Sequence, residues 1–204
     1  MTPDLDELLT RVDRLIDGGG RLLGIVGAPG SGKSTLAERV VEHLGARARL
    51  LPMDGFHLAN AELARRGIAH RKGAPDTFDV DGYISTLRRV RDRDTVVLAP
   101  WFHREIEEAV ASSICIEPEV DLVVTEGNYL LLRDPPWSVV TGLLDETWMI
   151  EIADDVRIAR LVARHEHHGR SPDAARRWVA EVDELNTVLI RSRSNTAALT
   201  VTLS

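Results

Sequence analysis

The residues best suited to chemistry form one unbroken run, Gly27-Ala28-Pro29-Gly30-Ser31-Gly32-Lys33-Ser34, which fits the Walker A pattern G-x-x-x-x-G-K-[ST]. Glycines let a backbone approach an anion closely, so that successive N–H groups can point inward at phosphate oxygens. The positive end of a following helix adds to that field. In such a cradle Lys33 is expected to reach the β- and γ-phosphates of a nucleoside triphosphate. The Ser34 hydroxyl is expected to ligate Mg²⁺, and Thr35 to contact the α-phosphate. A chance glycine-rich turn is the competing explanation, but the run follows an apolar strand and precedes a helix, as the cradle requires.

Two carboxylates extend the pattern. Asp54 directly follows a second expected strand, which places it at the carboxyl edge of a sheet, where doubly wound folds hold their ligands. There it could take the proton of an acceptor hydroxyl during phosphoryl transfer, although Asp54-Gly55 is also a strong turn signal. Glu126 ends the apolar run Leu122-Val123-Val124-Thr125 and would face Mg²⁺ or its waters. The segment Arg157 to Arg177 carries Arg160, Arg164 and Arg170 around a polar turn. It could close over a nucleotide and bring guanidinium charge to the transferring group, or simply be a solvated helix face. His165 and His168 share a helix face, but no third ligand is evident, so zinc is not expected. No N-K-x-D guanine signature occurs, and the length leaves no room for the lid domain of a ring ATPase.

The elements that must position these groups follow from periodicity. A helix is expected over Asp4–Asp17, ended by Gly18-Gly19-Gly20, then a buried strand over Arg21–Val26, a helix over Ser34–Leu44 and a strand over Arg47–Met53. Asp54–Asp79 reads as an excursion around a short helix near Ala61–Arg66. Beyond it come a helix at Asp81–Arg91 and strands at Thr95–Ala99, Asp121–Thr125 and Thr147–Ile152. Long helices at Asp155–His165 and Pro172–Ile190 follow, the second capped by Ser171, before a closing strand near Ala198–Leu203.

Composition narrows the class. The chain has 204 residues, 44% hydrophobic and 28% charged, with a net charge of −7, which argues against tracking along nucleic-acid phosphates. The single cysteine, Cys115, cannot close an intramolecular disulfide, which points to a reducing cytoplasm, and its apolar neighbours suggest a buried core thiol. No apolar stretch approaches the ~20 residues of a membrane span, and the acidic N-terminal segment lacks the basic head of a signal peptide. Trp101, Trp137, Trp148 and Trp178 are scattered and read as core or pocket lining.

Taken together, these motifs resemble the P-loop kinase superfamily of phosphoribulokinase, uridine kinase and bacterial pantothenate kinase over nearly the whole chain. Met53-Asp54-Gly55-Phe56-His57 is similar to the group's motif after the second strand, whose aspartate is the catalytic base. Arg71-Lys72-Gly73-Ala74-Pro75-Asp76-Thr77-Phe78-Asp79 is similar to a segment that shapes the acceptor pocket. Glu126-Gly127 matches the pair closing the Walker B strand, and Arg164-His165 through Gly169-Arg170 resembles the lid. Asp183 to Asn186 falls where short members carry a D-x-x-N element. The likeness is greatest to short bacterial proteins of the nucleoside/nucleotide kinase or fructose transport system kinase type, many of which have Asp-Arg in place of His103-Arg104.

The resemblance implies an α/β chain, a single domain over residues 1–204. Its fold would be a three-layer P-loop NTPase fold, with a mainly parallel central sheet and a small helical lid at about 164–172. It implies ATP and Mg²⁺ as cofactors. Asp54, Lys33, Arg164 and Arg170 would be catalytic, Ser34 and Glu126 would hold the metal, and His57, Lys72, Asp79, His103 and Arg104 would meet the acceptor. Base recognition is expected near Arg191–Ala197. The expected activity is transfer of the γ-phosphate of MgATP to a hydroxyl of a nucleoside, sugar or pantothenate-like acceptor. A nucleotide-monophosphate kinase and a non-catalytic ATP-binding regulatory protein are the alternatives. The expected partner is a small-molecule acceptor, with no nucleic acid and no membrane, and a homodimer is one option the sequence leaves open.

Overall fold

The computed structural model describes residues 3–203. Helix α1 (Leu5–Asp17) begins at Asp4, whose side chain accepts from the Glu7 amide while Glu7 reaches back to the Asp4 amide, a reciprocal cap. Strand β1 (Leu22–Gly27), wholly buried, leads through the glycine-rich loop into α2 (Lys33–Leu44), and β2 (Ala48–Pro52) follows. Then come α3 (Asn60–Arg66), α4 (Val80–Asp92), β3 (Val97–His103), β4 (Glu108–Ile116), β5 (Leu122–Gly127) and α5 (Ser138–Thr141). Strand β6 (Glu146–Glu151), α6 (Asp154–His167), α7 (Pro172–Trp178), α8 (Glu184–Arg193) and β7 (Leu199–Thr202) complete the chain.

Five strands form a parallel sheet in the order β2-β5-β1-β6-β7. One face buries Leu8, Val12, Leu36 and Val40 of α1 and α2, and the other packs under Tyr83, Leu87, Tyr129 and Trp137. Strand β5 lies between β1 and β2, with Glu126 in register with both Ile25 and Pro52. The carboxyl ends of three adjacent strands therefore deliver the glycine loop, Glu126 and Asp54 to one edge. Among the described residues no helix is long and apolar enough to cross a membrane.

Four expectations need correction. The strand expected at Thr95–Ala99 runs to His103 and leaves the sheet, pairing antiparallel with β4, a strand the sequence pattern did not reveal because Val110–Ser113 are exposed without alternation. Cys115 is exposed, not buried, because it lies opposite exposed Leu98 on the outer face of this hairpin, while Val97 and Ile116 take the inner face. Trp101 is likewise outward-facing, beside a register shift after Ala99, and is neither core nor pocket lining. The single helix expected over Pro172–Ile190 is broken by a π-turn at Val179–Asp183, a feature that re-aims side chains within a helix.

Two glycines are required by close approach. A Cβ on Gly30 would lie 2.8 Å from Leu161 Cγ and 2.9 Å from the Arg157 carbonyl, and its φ of 79° is left-handed. A Cβ on Gly55 would lie 2.4 Å from the Pro100 carbonyl, so Gly55 lets the hairpin pack on the segment holding Asp54.

Arg157, 1% exposed, ties these parts together. Its guanidinium donates to Asp154 (3.0 Å), Glu184 (2.6 Å), Thr187 (3.2 Å) and the Pro29 carbonyl (3.5 Å), linking α6, α8 and the phosphate loop. Replacing Arg157 with Ala should lower stability by about 3 kcal/mol, the scale for breaking a buried ionic network. Calorimetry should show this as a fall in Tm on the order of 10 °C for a domain of this size; an unchanged Tm would deny the network that role.

Candidate active site

The carboxyl edge of the sheet opens into a cavity of about 500 Å³. Pro29, Lys33 and Ser34 from the loop form its floor, and Asp54, His57 and Glu126 line its sheet side. Lys72, Phe78, Phe102 and Arg104 line it from the excursion and the hairpin, and Arg164, Arg170, Trp178 and Asp183 from the segment α6 to α8, while Asn186 donates to the Gly73 carbonyl at 3.5 Å where the two sides meet.

At the phosphate end, Gly30 and Gly32 adopt φ of 79° and 95°, which turns the chain into the helix. Helix α2 starts at Gly32 with no side-chain cap, so its first-turn amides are left for an anion. The buried Ser31 hydroxyl has no hydrogen-bond partner among the described residues. Gly27 and Ala28 complete the loop, and Thr35 sits exposed in the first turn of α2, outside the cavity lining. The Ser34 hydroxyl donates to Glu126 Oε1 at 3.1 Å, which sets two oxygens side by side. That donor set fits Mg²⁺, which keeps waters and phosphate oxygens as its remaining ligands. An uncapped helix start, a left-handed glycine loop and a lysine beneath it fit a triphosphate.

Burial and charge tune the group. Burial pulls the Lys33 ammonium below its ordinary pKa, and Glu126 and Asp54 oppose that pull. Burial alone would raise Asp54, but His57, Arg104, Lys33 and Arg164 together hold it below the ordinary aspartate value. Burial pushes the Glu126 carboxyl up, and the charge of Asp54 adds to the shift. The two carboxyls are thus driven apart, and Asp54 is the one kept ionised.

His57 is wedged between Phe78 and Phe102, at ring separations of 4.1 and 4.8 Å. Its Nδ1 lies 2.8 Å from the Asp54 carbonyl, which can only accept, and burial lowers the imidazole pKa. The Nδ1 facing this carbonyl therefore carries a proton, and the ring buttresses the Asp54 turn. Lys72 donates to Asn60 Oδ1 (2.8 Å) and to the Glu107 carbonyl (2.5 Å), pinning the hairpin tip to α3. Arg104 donates to Asp54 Oδ2 at 2.8 Å.

On the lid side, burial and Arg104 lower the pKa of Arg164. Arg170 stacks on the Trp178 ring at 3.9 Å. His165 pairs with Asp183 at 2.8 Å across the π-turn, and Ser171 caps α7 by accepting from the Ala174 amide. Arg160 flanks Gly32 outside the cavity lining.

Two expected acceptor residues do not reach the cavity. Asp79 is exposed and caps α4, accepting from the Gly82 amide at 3.0 Å. His103 lies one residue beyond Phe102, and strand alternation turns it to the opposite face. Conversely, Asn60, Glu107 and Asn128 line the cavity without having been singled out. Asn128 directly follows the Glu126-Gly127 pair, and its buried Oδ1 has no hydrogen-bond partner among the described residues. Its place beside that motif was the available signal, whereas Asn60 and Glu107 meet only through folding.

Comparison with known proteins agrees with this geometry. A Schizosaccharomyces pombe protein provisionally named uridine kinase is 38% identical over 173 residues, 78% of this chain and 73% of that one. A pantothenate kinase of Limosilactobacillus reuteri is 32% identical over 66% of this chain, which spans 46% of that enzyme. A structure from Silicibacter sp. TM1040, provisionally described as a fructose transport system kinase, is 36% identical. It superposes with a TM-score of 0.89 over 97% of this chain and 98% of its own. No protein-family profile matches the chain. The fold and site define a P-loop kinase. The chain belongs to the uridine kinase-like family of these enzymes.

Lys33→Ala should reduce kcat/KM by at least ~100-fold, the scale for removing a charge-stabilising group. It should leave Tm nearly unchanged, because a desolvated ammonium is removed together with its charge. Nucleotide-binding calorimetry and a melting curve on the same sample check both; undiminished ATP binding and turnover would contradict the assignment.

Proposed function

We propose that the chain is an ATP-dependent kinase that transfers the γ-phosphate of MgATP to a hydroxyl group of a small acceptor, in the class of nucleosides, sugars and pantothenate-like compounds. The observation that carries this reading is the placement of Asp54 in the same cavity as Lys33, Ser34 and Glu126. The kinases named among its relatives support it, since uridine and pantothenate both offer hydroxyls.

In this mechanism the acceptor oxygen forms a bond to the γ-phosphorus while Asp54 takes the hydroxyl proton. The bond from that phosphorus to the bridging oxygen breaks, and ADP leaves. Lys33 and the loop amides hold the phosphates, and Arg164 and Arg170 bring charge to the transferring group. When bound at Ser34 and Glu126, Mg²⁺ supplies further neutralisation of phosphate charge. The proposed setting is cytoplasmic. A nucleotide-monophosphate kinase would need no base, because its acceptor is already a phosphate, and an ATP-binding regulatory protein would need no acceptor site.

Asp54→Asn should retain ATP binding yet lower acceptor-dependent ADP release by ~100-fold or more, the scale for losing a general base. Wild-type turnover in this variant would remove the base and favour one of the two alternatives.

A further inference from the structure

The resting site contains a contradiction that points to its acceptor. Asp54, the base of the proposed reaction, must present a free carboxylate oxygen to a hydroxyl. Yet Arg104 donates to Asp54 Oδ2 at 2.8 Å. A carboxylate bound to a guanidinium is a weaker base and has fewer lone pairs to offer. Arg104 occupies only Oδ2, but its charge weakens the whole carboxylate as a base, so drawing Arg104 away would strengthen it.

The hairpin tip shows what could draw it. Two of its other charged groups are engaged: Glu108 accepts from the Asn60 amide at 3.0 Å, and the Glu107 carboxylate lies 3.7 Å from Lys72. Asp54 is the one carboxylate paired with Arg104 among the described residues. The Arg104 side chain is 42% exposed and rests against Phe102, its guanidinium 5.6 Å from the ring centroid. Lys72 sits over the same ring at 5.1 Å. Two cations thus flank one aromatic at the acceptor end, and one of them is free to swing.

We propose that the acceptor carries an anionic group, a carboxylate or a phosphate, in addition to its reacting hydroxyl, and that Arg104 is the residue that reads it. The anion takes the guanidinium N–H groups, with Lys72 alongside, and so releases Asp54 Oδ2 to face the hydroxyl. A neutral acceptor offers the guanidinium no partner comparable with the carboxylate it would leave, whereas an anion offers a bidentate one. Arg104 therefore couples acceptor recognition to unmasking of the base. This inference rests on the reading of Asp54 as the base.

The test is acceptor-dependent ADP release with two sets of compounds. The anionic set contains hydroxy acids such as pantothenate and glycerate, and sugar phosphates such as fructose 6-phosphate. The neutral set contains uridine, cytidine, fructose and the methyl esters of the same hydroxy acids. The expected result is a kcat/KM at least tenfold higher for an anionic compound than for its neutral counterpart, and the arm that responds distinguishes carboxylate from phosphate. Arg104→Gln should raise KM for that compound by about 10- to 100-fold, the scale of a lost charged hydrogen bond, with a much smaller change for the neutral counterpart. Arg104→Lys should restore part of the loss, which general damage to the fold would not allow. A neutral compound preferred over every anionic one, or an Arg104→Gln variant with unchanged KM, overturns the inference. If a neutral acceptor is used and Asp54→Asn still abolishes turnover, the base assignment stands and the anion alone falls. If no acceptor in either set stimulates ADP release, both fall.

Discussion

The site depends on one constraint: Lys33 must remain charged while largely withdrawn from water. Burial works against its ammonium, and the charges of Glu126 and Asp54 oppose that pull. That is why the ends of three adjacent parallel strands matter. With β5 between β1 and β2, the two carboxylates arrive at the lip of the loop that carries Lys33. The same arrangement serves the carboxylates unequally. Asp54 lies among cations and stays ionised, while Glu126 lies deeper and is pushed toward its neutral form until an opposing charge compensates it.

The cations that hold Asp54 down come from separate parts of the chain. Lys33 belongs to the loop, Arg104 to the hairpin and Arg164 to α6, so the Asp54 carboxylate senses three separate parts of the chain at once. Arg157 fixes the geometry on the lid side by gripping the loop carbonyl of Pro29 and the side chains of α8 from a fully buried position. Lys72 and Asn60 fix it on the acceptor side. Between these two clamps, Arg170 rests on Trp178 and Arg104 on Asp54.

Much of this was legible in the sequence where local pattern and long-range role coincide. The glycine run, the buried strands β1 and β5, and the Ser171–Pro172 helix start each carry their signal within a few residues. Asp54 and Glu126 were legible because strand ends in such a sheet share one edge. The hairpin was not. Its strand β4 is exposed along Val110–Ser113, so neither alternation nor an apolar run marks it, and with it were lost the outward positions of Trp101 and Cys115. His103 was misplaced for the same reason, since only the strand assignment tells which neighbour of Phe102 turns inward. Asp79 was misread because a carboxylate before a helix can serve a pocket or a cap, and here it caps.

The most direct test of hydroxyl-directed transfer is the chemical identity of the product. Incubation with MgATP and a turned-over acceptor, followed by ³¹P NMR and mass spectrometry, distinguishes the outcomes. Hydroxyl-directed transfer predicts a new phosphate monoester on the acceptor, formed in step with ADP and dependent on Asp54. A phosphoanhydride on an acceptor phosphate, or inorganic phosphate alone, would contradict it.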